Sequence, residues 1–131
     1  MKELKAGIIG NDEVIVTEAN TAAAMGSGTL PVFATPALVA LMEKTAQESV
    51  QDALEEGCGS VGTMICAKHV SATPVGMKVT CQSELVAVEG RKLVFKITAS
   101  DACGVVGEAD HERFIIQNEK FQAKADSKRT K

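Results

Sequence analysis

Apolar and polar residues alternate along the second half of the chain, as they do in strands that bury one face. In RKLVFKITAS (residues 91–100) the apolar residues Leu93, Phe95, Ile97 and Ala99 are spaced two apart. Three similar runs are SVGTMICAKHV (60–70), MKVTCQSELVAV (77–88) and VVGEADHERFIIQ (105–117), with short turns between them. Short turns make neighbouring strands antiparallel, so this half predicts a meander of about four strands.

The first half of the chain predicts one strand, a loop and one long helix. GIIGNDEVIVTEAN (7–20) has the composition of a strand, whereas TAAAMGSGTLPVFA (21–34) is small and irregular and predicts a loop. Thr35 is a good N-cap and Pro36 suits the first helical position, so a helix is expected to begin there. We expect it to end near Glu56, where glycines follow. It is apolar on most sides, which predicts a buried helix.

Glu43 is the unexpected residue of this helix. Its neighbours three and four positions away are mostly apolar: Val39, Ala40, Ala46 and Gln47. A carboxylate buried there without a partner costs several kcal/mol or has a raised pKa. Glu43 is therefore either a solvent-reaching or locally paired side chain, or a general base. Thr35 lies eight residues away, about 12 Å of helix rise, so a substrate, a bend or a second subunit would have to connect the two.

The two histidines have different surroundings. His69 ends a predicted strand just before a turn, a common place for an acid–base group, although a lone histidine is more often structural or merely exposed. His111 in DHER is flanked by charged residues, and we interpret it as a solvated side chain. Alternation places Arg113 on the face of His111, as a salt-bridge partner or a phosphate contact.

The order of elements predicts an α+β fold, in which an antiparallel sheet of about five strands wraps around one long central helix. We expect a single domain over residues 1–131, with a flexible tail over about 122–131. A free sheet edge favours pairing with a second copy, so a homodimer or homotetramer is expected.

Composition excludes several classes of protein. The 131 residues are 45% hydrophobic and carry a net charge of -3, which gives no basic footprint for nucleic acid. We find no signal peptide and no apolar run long enough for a membrane span, and expect a cytoplasmic protein. The four cysteines lack metal-site spacing and are expected to be reduced, so we predict no metal and no cofactor; they are Cys58, Cys66, Cys81 and Cys103.

Three stretches resemble one known family. ATPALVALMEKTA (34–46), SVGTMICAKHVSATPVGMKV (60–79) and GRKLVFKITASDACGVVGEADHER (90–113) resemble the fluoroacetyl-CoA thioesterase-like branch of the hotdog superfamily, in the same order and with matching spacing. The resemblance covers about residues 10–120. It implies a hotdog fold and an acyl-CoA thioesterase that releases free acid and coenzyme A.

The resemblance also implies site residues. The catalytic ones are Thr35, Glu43 and His69, with no assignment of nucleophile or base between Thr35 and Glu43. Gly62 is implied beside the acyl group and Arg113 on the coenzyme side.

One departure concerns specificity. The family enzyme has an aromatic lid before its catalytic threonine, and here Phe33 is the sole aromatic residue in that segment. We expect Phe33 to contact substrate and the acyl group to be short but not specifically fluoroacetyl. The alternatives are a non-catalytic acyl-CoA-binding regulatory module, a hotdog dehydratase or hydratase, and a purely structural oligomer.

Overall fold

A computed structural model describes residues 3–130 of the chain. Its helices are α1 (Ala22–Met25), α2 (Thr35–Gln51) and α3 (Asn118–Asp126), with short 3-10 turns at Glu18–Asn20 and Ser127–Thr130. Its strands are β1 (Ile9–Ile15), β2 (Cys58–His69), β3 (Lys78–Glu89), β4 (Lys92–Asp101) and β5 (Gly104–Gln117).

The five strands of the described residues form one antiparallel sheet in the order β1-β3-β4-β5-β2. This confirms the predicted α+β architecture, but the predicted meander of four strands is wrong. Only β3, β4 and β5 follow one another in the sheet, whereas β2 pairs with β5. Residues 70–77 between β2 and β3 therefore cross to the far side of β4 and β5 and do not form a hairpin turn. Strand β2 pairs only with β5 within the chain, so its other side is a free edge of twelve residues. A bulge between Gly62 and Met64 interrupts its register with β5.

Helix α2 lies on the inner face of the sheet, and the predicted alternation matches what is buried. Leu93, Phe95, Ile97 and Ala99 of β4 all lie in the core beneath the helix. One side of α2 also lies in the core and consists of Leu38, Leu41, Met42, Ala46 and Val50. Burial of these apolar surfaces is the main stabilising contribution to the fold.

Helix α2 is wrapped by the sheet as predicted, but one side of it is exposed in the single chain. Residues spaced four apart on α2 form an exposed stripe that consists of Ala40, Lys44 and Glu48. The sheet curves around only part of the helix surface, and Lys44 uses its exposure to pair with Asp12 at 2.6 Å.

Both ends of α2 differ from the sequence prediction. The N-cap is Ala34, whose backbone is extended and whose side chain cannot cap, so Thr35 is the first helical residue and not the cap. The helix ends at Gln51 and not near Glu56, because its next turn is replaced by a turn that reaches Gly57 in the left-handed region (φ 84°).

Two glycines allow α2 to approach the sheet closely. A Cβ on Gly10 of β1 would lie 2.6 Å from the Ser49 side chain and 2.8 Å from the Thr45 carbonyl oxygen. A Cβ on Gly107 of β5 would lie 2.7 Å from Leu38 and 3.3 Å from Met42. A side chain at Gly10 would meet the helix backbone and push the helix away, whereas one at Gly107 would displace the ends of the Leu38 and Met42 side chains.

The segments outside the sheet and α2 are more regular than predicted. The expected loop over 21–34 contains α1, which Gly26 ends with a left-handed backbone. Residues 118–130 form α3 and a 3-10 turn; flexibility of the tail stays a prediction, and Lys131 lies outside the described residues. Among residues 3–130, no helix combines the length and the apolarity that crossing a membrane requires.

Candidate functional site

Thr35 and His69 form a hydrogen-bonded pair. The Thr35 hydroxyl oxygen lies 2.8 Å from Nδ1 of His69. The first turn of α2 presents Thr35, and the last residue of β2 presents His69, so the pair joins the helix to the sheet edge. Because Ala34 takes the cap position, the Thr35 hydroxyl is free for the imidazole.

The pair opens onto a cavity of about 280 Å³. Phe33, only 2% exposed, forms part of its wall and is held by a backbone hydrogen bond to Thr73 (2.8 Å). The rest of the wall is small or branched, and includes Ala22, Ser27, Val32, Val70 and Ala72. The cavity therefore suits a small, largely apolar group.

The surroundings of His69 favour the neutral imidazole. Burial lowers the pKa of His69, and the Ser71 backbone offsets part of this effect. Its Nε2 is buried and has no hydrogen-bond partner among the described residues. A neutral imidazole beside a hydroxyl can accept the proton of that hydroxyl, which is the arrangement of an activated nucleophile.

Glu43 lies in a second cluster, against β2 and β5. Its carboxylate oxygen Oε2 is 3.7 Å from Nη1 of Arg113, and the Glu43 side chain keeps 40% of its exposure. Gly62 of β2 makes room for it, because a Cβ there would lie 2.6 Å from Oε2. The alternative that Glu43 pairs locally along its helix is therefore wrong, since its partner is on the sheet.

His111 and Arg113 are buried, which corrects the interpretation of His111 as solvated. His111 is 1% exposed and Arg113 is 6% exposed. Both point inward from β5, where burial lowers the pKa of His111 and that of Arg113. Arg113 donates to Ser60 and contacts His111, so its guanidinium is already hydrogen-bonded within the fold; a contact with the coenzyme stays a prediction.

The two clusters lie apart within one chain. Thr35 and Glu43 are separated by eight residues of α2, roughly 12 Å of rise. His69 and Gly62 are separated by seven residues of β2, roughly 20 Å of strand. The structure thus brings Thr35 together with His69, and Glu43 together with Gly62 and Arg113, and it keeps the pairs separate.

A comparison with known families shows which family the chain belongs to. The family model of FlK, the fluoroacetyl-CoA-specific thioesterase, matches residues 16–119. The chain belongs to this family. Membership in the fluoroacetyl-CoA-specific thioesterase family confirms the predicted family and the predicted thioesterase function over the binding-module and dehydratase alternatives.

Individual relatives agree with the family model. The chain is 45% identical over 97 residues to the fluoroacetyl-CoA thioesterase of Streptantibioticus cattleyicolor. The aligned residues cover 74% of this chain and 70% of that protein. A solved threonine-to-serine mutant of FlK in complex with acetyl-CoA has 35% identity and a TM-score of 0.91, and the match covers 95% of this chain and 98% of that one.

A more distant structure shows the fold. A hot-dog-like protein from Thermanaerovibrio acidaminovorans has 22% identity and a TM-score of 0.85, with 94% of this chain and 91% of that chain covered. The predicted hotdog fold is thereby confirmed.

Sequence reasoning missed two residues of the second cluster, His111 and Ser60. The charged neighbours Asp110 and Glu112 made His111 look solvated, although they lie on the other face of β5. Alternation along β5 places Ala109, His111 and Arg113 on the same face of the strand. Because that face is buried, the same pattern could have predicted that His111 and Arg113 are buried as well. Ser60 gave no signal, because only the pairing of β2 with β5 brings it to Arg113.

Proposed function

We propose that this member of the thioesterase family hydrolyses short acyl-CoA thioesters to the free acid and coenzyme A. The observation that carries the proposal is the 2.8 Å contact between the Thr35 hydroxyl and His69 at the mouth of a small apolar cavity. The solved relative in complex with acetyl-CoA supports a short acyl-CoA as the substrate.

In the proposed first step, His69 accepts the Thr35 proton as the Thr35 oxygen attacks the thioester carbonyl carbon. The C–O bond forms, the C–S bond breaks, and the protonated His69 returns its proton to the leaving thiolate of coenzyme A. The lowered pKa of His69 keeps the imidazole neutral and able to accept that proton near neutral pH.

In the proposed second step, Glu43 accepts a proton from a water molecule whose oxygen attacks the carbonyl carbon of the Thr35 ester. The new C–O bond forms, the bond between the carbonyl carbon and the Thr35 oxygen breaks, and the proton held by Glu43 passes to the Thr35 oxygen as the free acid leaves. Arg113 holds the Glu43 carboxylate, which is partly exposed and can reach a water molecule. Gly62 keeps the space beside the carboxylate open. This assigns Thr35 as nucleophile, His69 as acid and base, and Glu43 as the base for water.

The separation of the two clusters within one chain favours a site built by two copies. In our proposal a homodimer forms when the free edge of β2 pairs with β2 of a second copy in antiparallel register. A register that sets Gly62 opposite the second copy's His69 would bring Glu43 of one copy to the Thr35–His69 pair of the other. Unpaired N–H and C=O groups along the twelve residues of β2 support this mode of pairing.

Acyl specificity is the part of the proposal that departs from the relatives. The segment before α2 exposes Met25 (47%) and Leu30 (63%), while its only aromatic residue, Phe33, is buried in the cavity wall. With no aromatic side chain to cover the mouth, we propose that the enzyme accepts short acyl groups without singling out fluoroacetyl. The four free cysteines further support the proposal of a cytoplasmic, reducing environment.

Free-thiol release from a panel of acyl-CoAs tests the proposal. The panel runs from acetyl to long-chain and includes fluoroacetyl-CoA, with wild type beside Thr35→Val and Glu43→Gln. We expect turnover of short members that falls at least about 100-fold in both folded variants. No turnover of any member would refute the proposed activity, and a strong preference for fluoroacetyl-CoA would refute the proposed specificity.

A further inference from the structure

His111 is a buried histidine to which the proposed mechanism gives no task. Its Nδ1 lies 2.7 Å from the carbonyl oxygen of Met64, and its Nε2 lies 3.2 Å from Nη1 of Arg113. A carbonyl oxygen can only accept a hydrogen bond and a guanidinium can only donate one. Both neighbours therefore require the same form of the ring, neutral, with its proton on Nδ1.

Arg113 is fixed on several sides by these contacts. Its Nε donates to the Ser60 hydroxyl at 2.7 Å and its Nη2 donates to the Ser60 carbonyl oxygen at 2.8 Å. Its Nη1 donates to His111 and also lies 3.7 Å from Oε2 of Glu43. Ser60 and His111 together leave the planar guanidinium a single orientation, which is the one that faces Glu43.

We propose that His111 is a positioning residue for catalysis: its neutral ring locks Arg113, and Arg113 sets the place of the Glu43 carboxylate. The inference rests on the proposed function, because Glu43 must act in the reaction for its position to matter. A misplacement of about 1 Å at a reacting group costs up to about 100-fold in rate.

The surroundings of the ring define what protonation would do. The charged groups that face the His111 ring are Arg113 and Glu112 of β5 and Glu43 of α2. The uncharged ring of Phe95 on β4 packs against it, with the two ring centroids 5.9 Å apart. A protonated His111 would turn an N–H toward the N–H of Arg113. The acceptor of Arg113 would be lost and two cations would oppose each other, so acid would release Glu43 from its position.

A pair of variants at His111 separates positioning from packing. In His111→Gln the amide can donate to the Met64 carbonyl and accept from Arg113, whereas His111→Phe fills the space beside Phe95 but can do neither. We expect His111→Phe to lower kcat about 10- to 100-fold with KM changed less than about threefold, and His111→Gln to stay within about threefold of wild type.

Two serines give a matched second test. Ser60→Ala removes the acceptor of the Arg113 Nε–H, and we expect it to lower kcat about 10-fold. Ser83→Ala removes a buried hydroxyl that has no partner among the described residues, and we expect unchanged kcat. Melting temperatures of all four variants show which of them remain folded.

Proton exchange of Arg113 tests the positioning without turnover. We expect the Nη1–H NMR signals of Arg113 to exchange slowly in wild type and His111→Gln, and rapidly in His111→Phe, which removes the acceptor of that group. Wild-type kcat in folded His111→Phe, or an equal loss in His111→Gln and His111→Phe, would overturn the proposal. Absent wild-type turnover together with the expected exchange pattern would instead refute the proposed activity, and the catalytic task of His111 with it.

Discussion

Gly62 and Glu43 fit together in a way that no other residue at position 62 would permit. A Cβ on Gly62 would lie 2.6 Å from Oε2 of Glu43, well inside van der Waals contact. The φ angle of Gly62 is not positive, so its backbone does not require glycine. Glycine is needed at this position to leave space for the Glu43 side chain. The Glu43 carboxylate can therefore lie where it does only because residue 62 has no Cβ.

Gly62→Ala should displace the Glu43 carboxylate and leave the fold intact, because the far end of a flexible side chain can move at little cost. We expect kcat to fall about 10- to 100-fold while the free energy of unfolding changes by less than about 1 kcal/mol. Steady-state kinetics and urea denaturation measure the two effects.

Gly59→Ala is the matched control for that variant. It lies on the same strand, and its Cβ would meet the flexible side chain of Asn118 at 2.8 Å, on the opposite face of β2 from the side chain of Ser60. We expect wild-type kcat. Equal losses in the two alanine variants would mean that β2 is sensitive to any added side chain and that Gly62 has no special relation to Glu43.

Thr35→Val should abolish the hydroxyl while leaving stability almost unchanged, since Ala34 and not Thr35 is the N-cap of α2. We expect a change in unfolding free energy within about 0.5 kcal/mol and a loss of activity of at least about 100-fold. Thr21→Val is the contrast, because the Thr21 side chain does cap α1 at the Ala24 N–H (3.2 Å), and its loss should cost about 1 kcal/mol. A cost of more than about 1.5 kcal/mol in Thr35→Val, beyond what the lost hydrogen bond to His69 explains, would contradict the cap assignment.

Stability should decrease in mild acid because of His111. Burial lowers the pKa of His111 below its ordinary value of 6.5, so the folded chain resists a proton that the unfolded chain accepts. The stabilisation is present above about pH 6.5 and is lost as pH falls toward the folded-state pKa, with a slope of up to about 1.4 kcal/mol per pH unit.

Urea unfolding between pH 7.5 and 5.5 measures this slope in wild type and in His111→Gln. We expect a shallower slope in the variant, which has no group to titrate at that position. Identical slopes would show that His111 titrates alike in the folded and unfolded chains.

Mixing two inactive variants tests whether the site is shared between copies. Glu43→Gln and Thr35→Val are each expected to be inactive alone. If Glu43 of one copy serves Thr35 of the other, one of the two sites in a mixed dimer contains both residues, and an equal mixture should recover about a quarter of wild-type activity. Light scattering gives the oligomeric state of the same samples.

Failure of the mixture to gain activity, in samples shown to have exchanged subunits, would place Thr35, His69 and Glu43 of each site in a single chain. A monomeric mass for the active enzyme would lead to the same conclusion.

The sequence predicted the sheet well because alternation is a local property that burial follows directly. The four strands of the second half lie along the chain where the pattern placed them, and the faces of β3 and β4 are as expected. Alternation does not show which strands pair, so the position of β2 beside β5 and not beside β3 was missed. The helix was harder. The apolar surface of α2 is larger than the area that the sheet covers. Some residues that the pattern predicts to be buried, such as Ala40, are therefore exposed in the single chain.

The site was predictable only in part, and the reason is the range of the contacts. Resemblance to a family pointed to Thr35, Glu43 and His69, but the sequence does not show that the first and last form a pair while Glu43 joins Arg113. Those contacts depend on the packing of α2 against β2 and β5. The cap was displaced by one residue because the Thr35 hydroxyl has a partner 34 residues away that no local rule includes.

The close packing of α2 at Gly10 and Gly107 separates a rigid scaffold, the helix and the sheet, from a surface segment that can change to suit a different acyl group. Helix α2 is held against β1 at one glycine and against β5 at the other, so it cannot tilt or slide to suit a larger acyl group. Accommodation is left to the exposed residues 23–31 before it, which carry little of the core. New acyl preferences should therefore be obtained by rewriting that surface segment, at small cost to the stability of the scaffold.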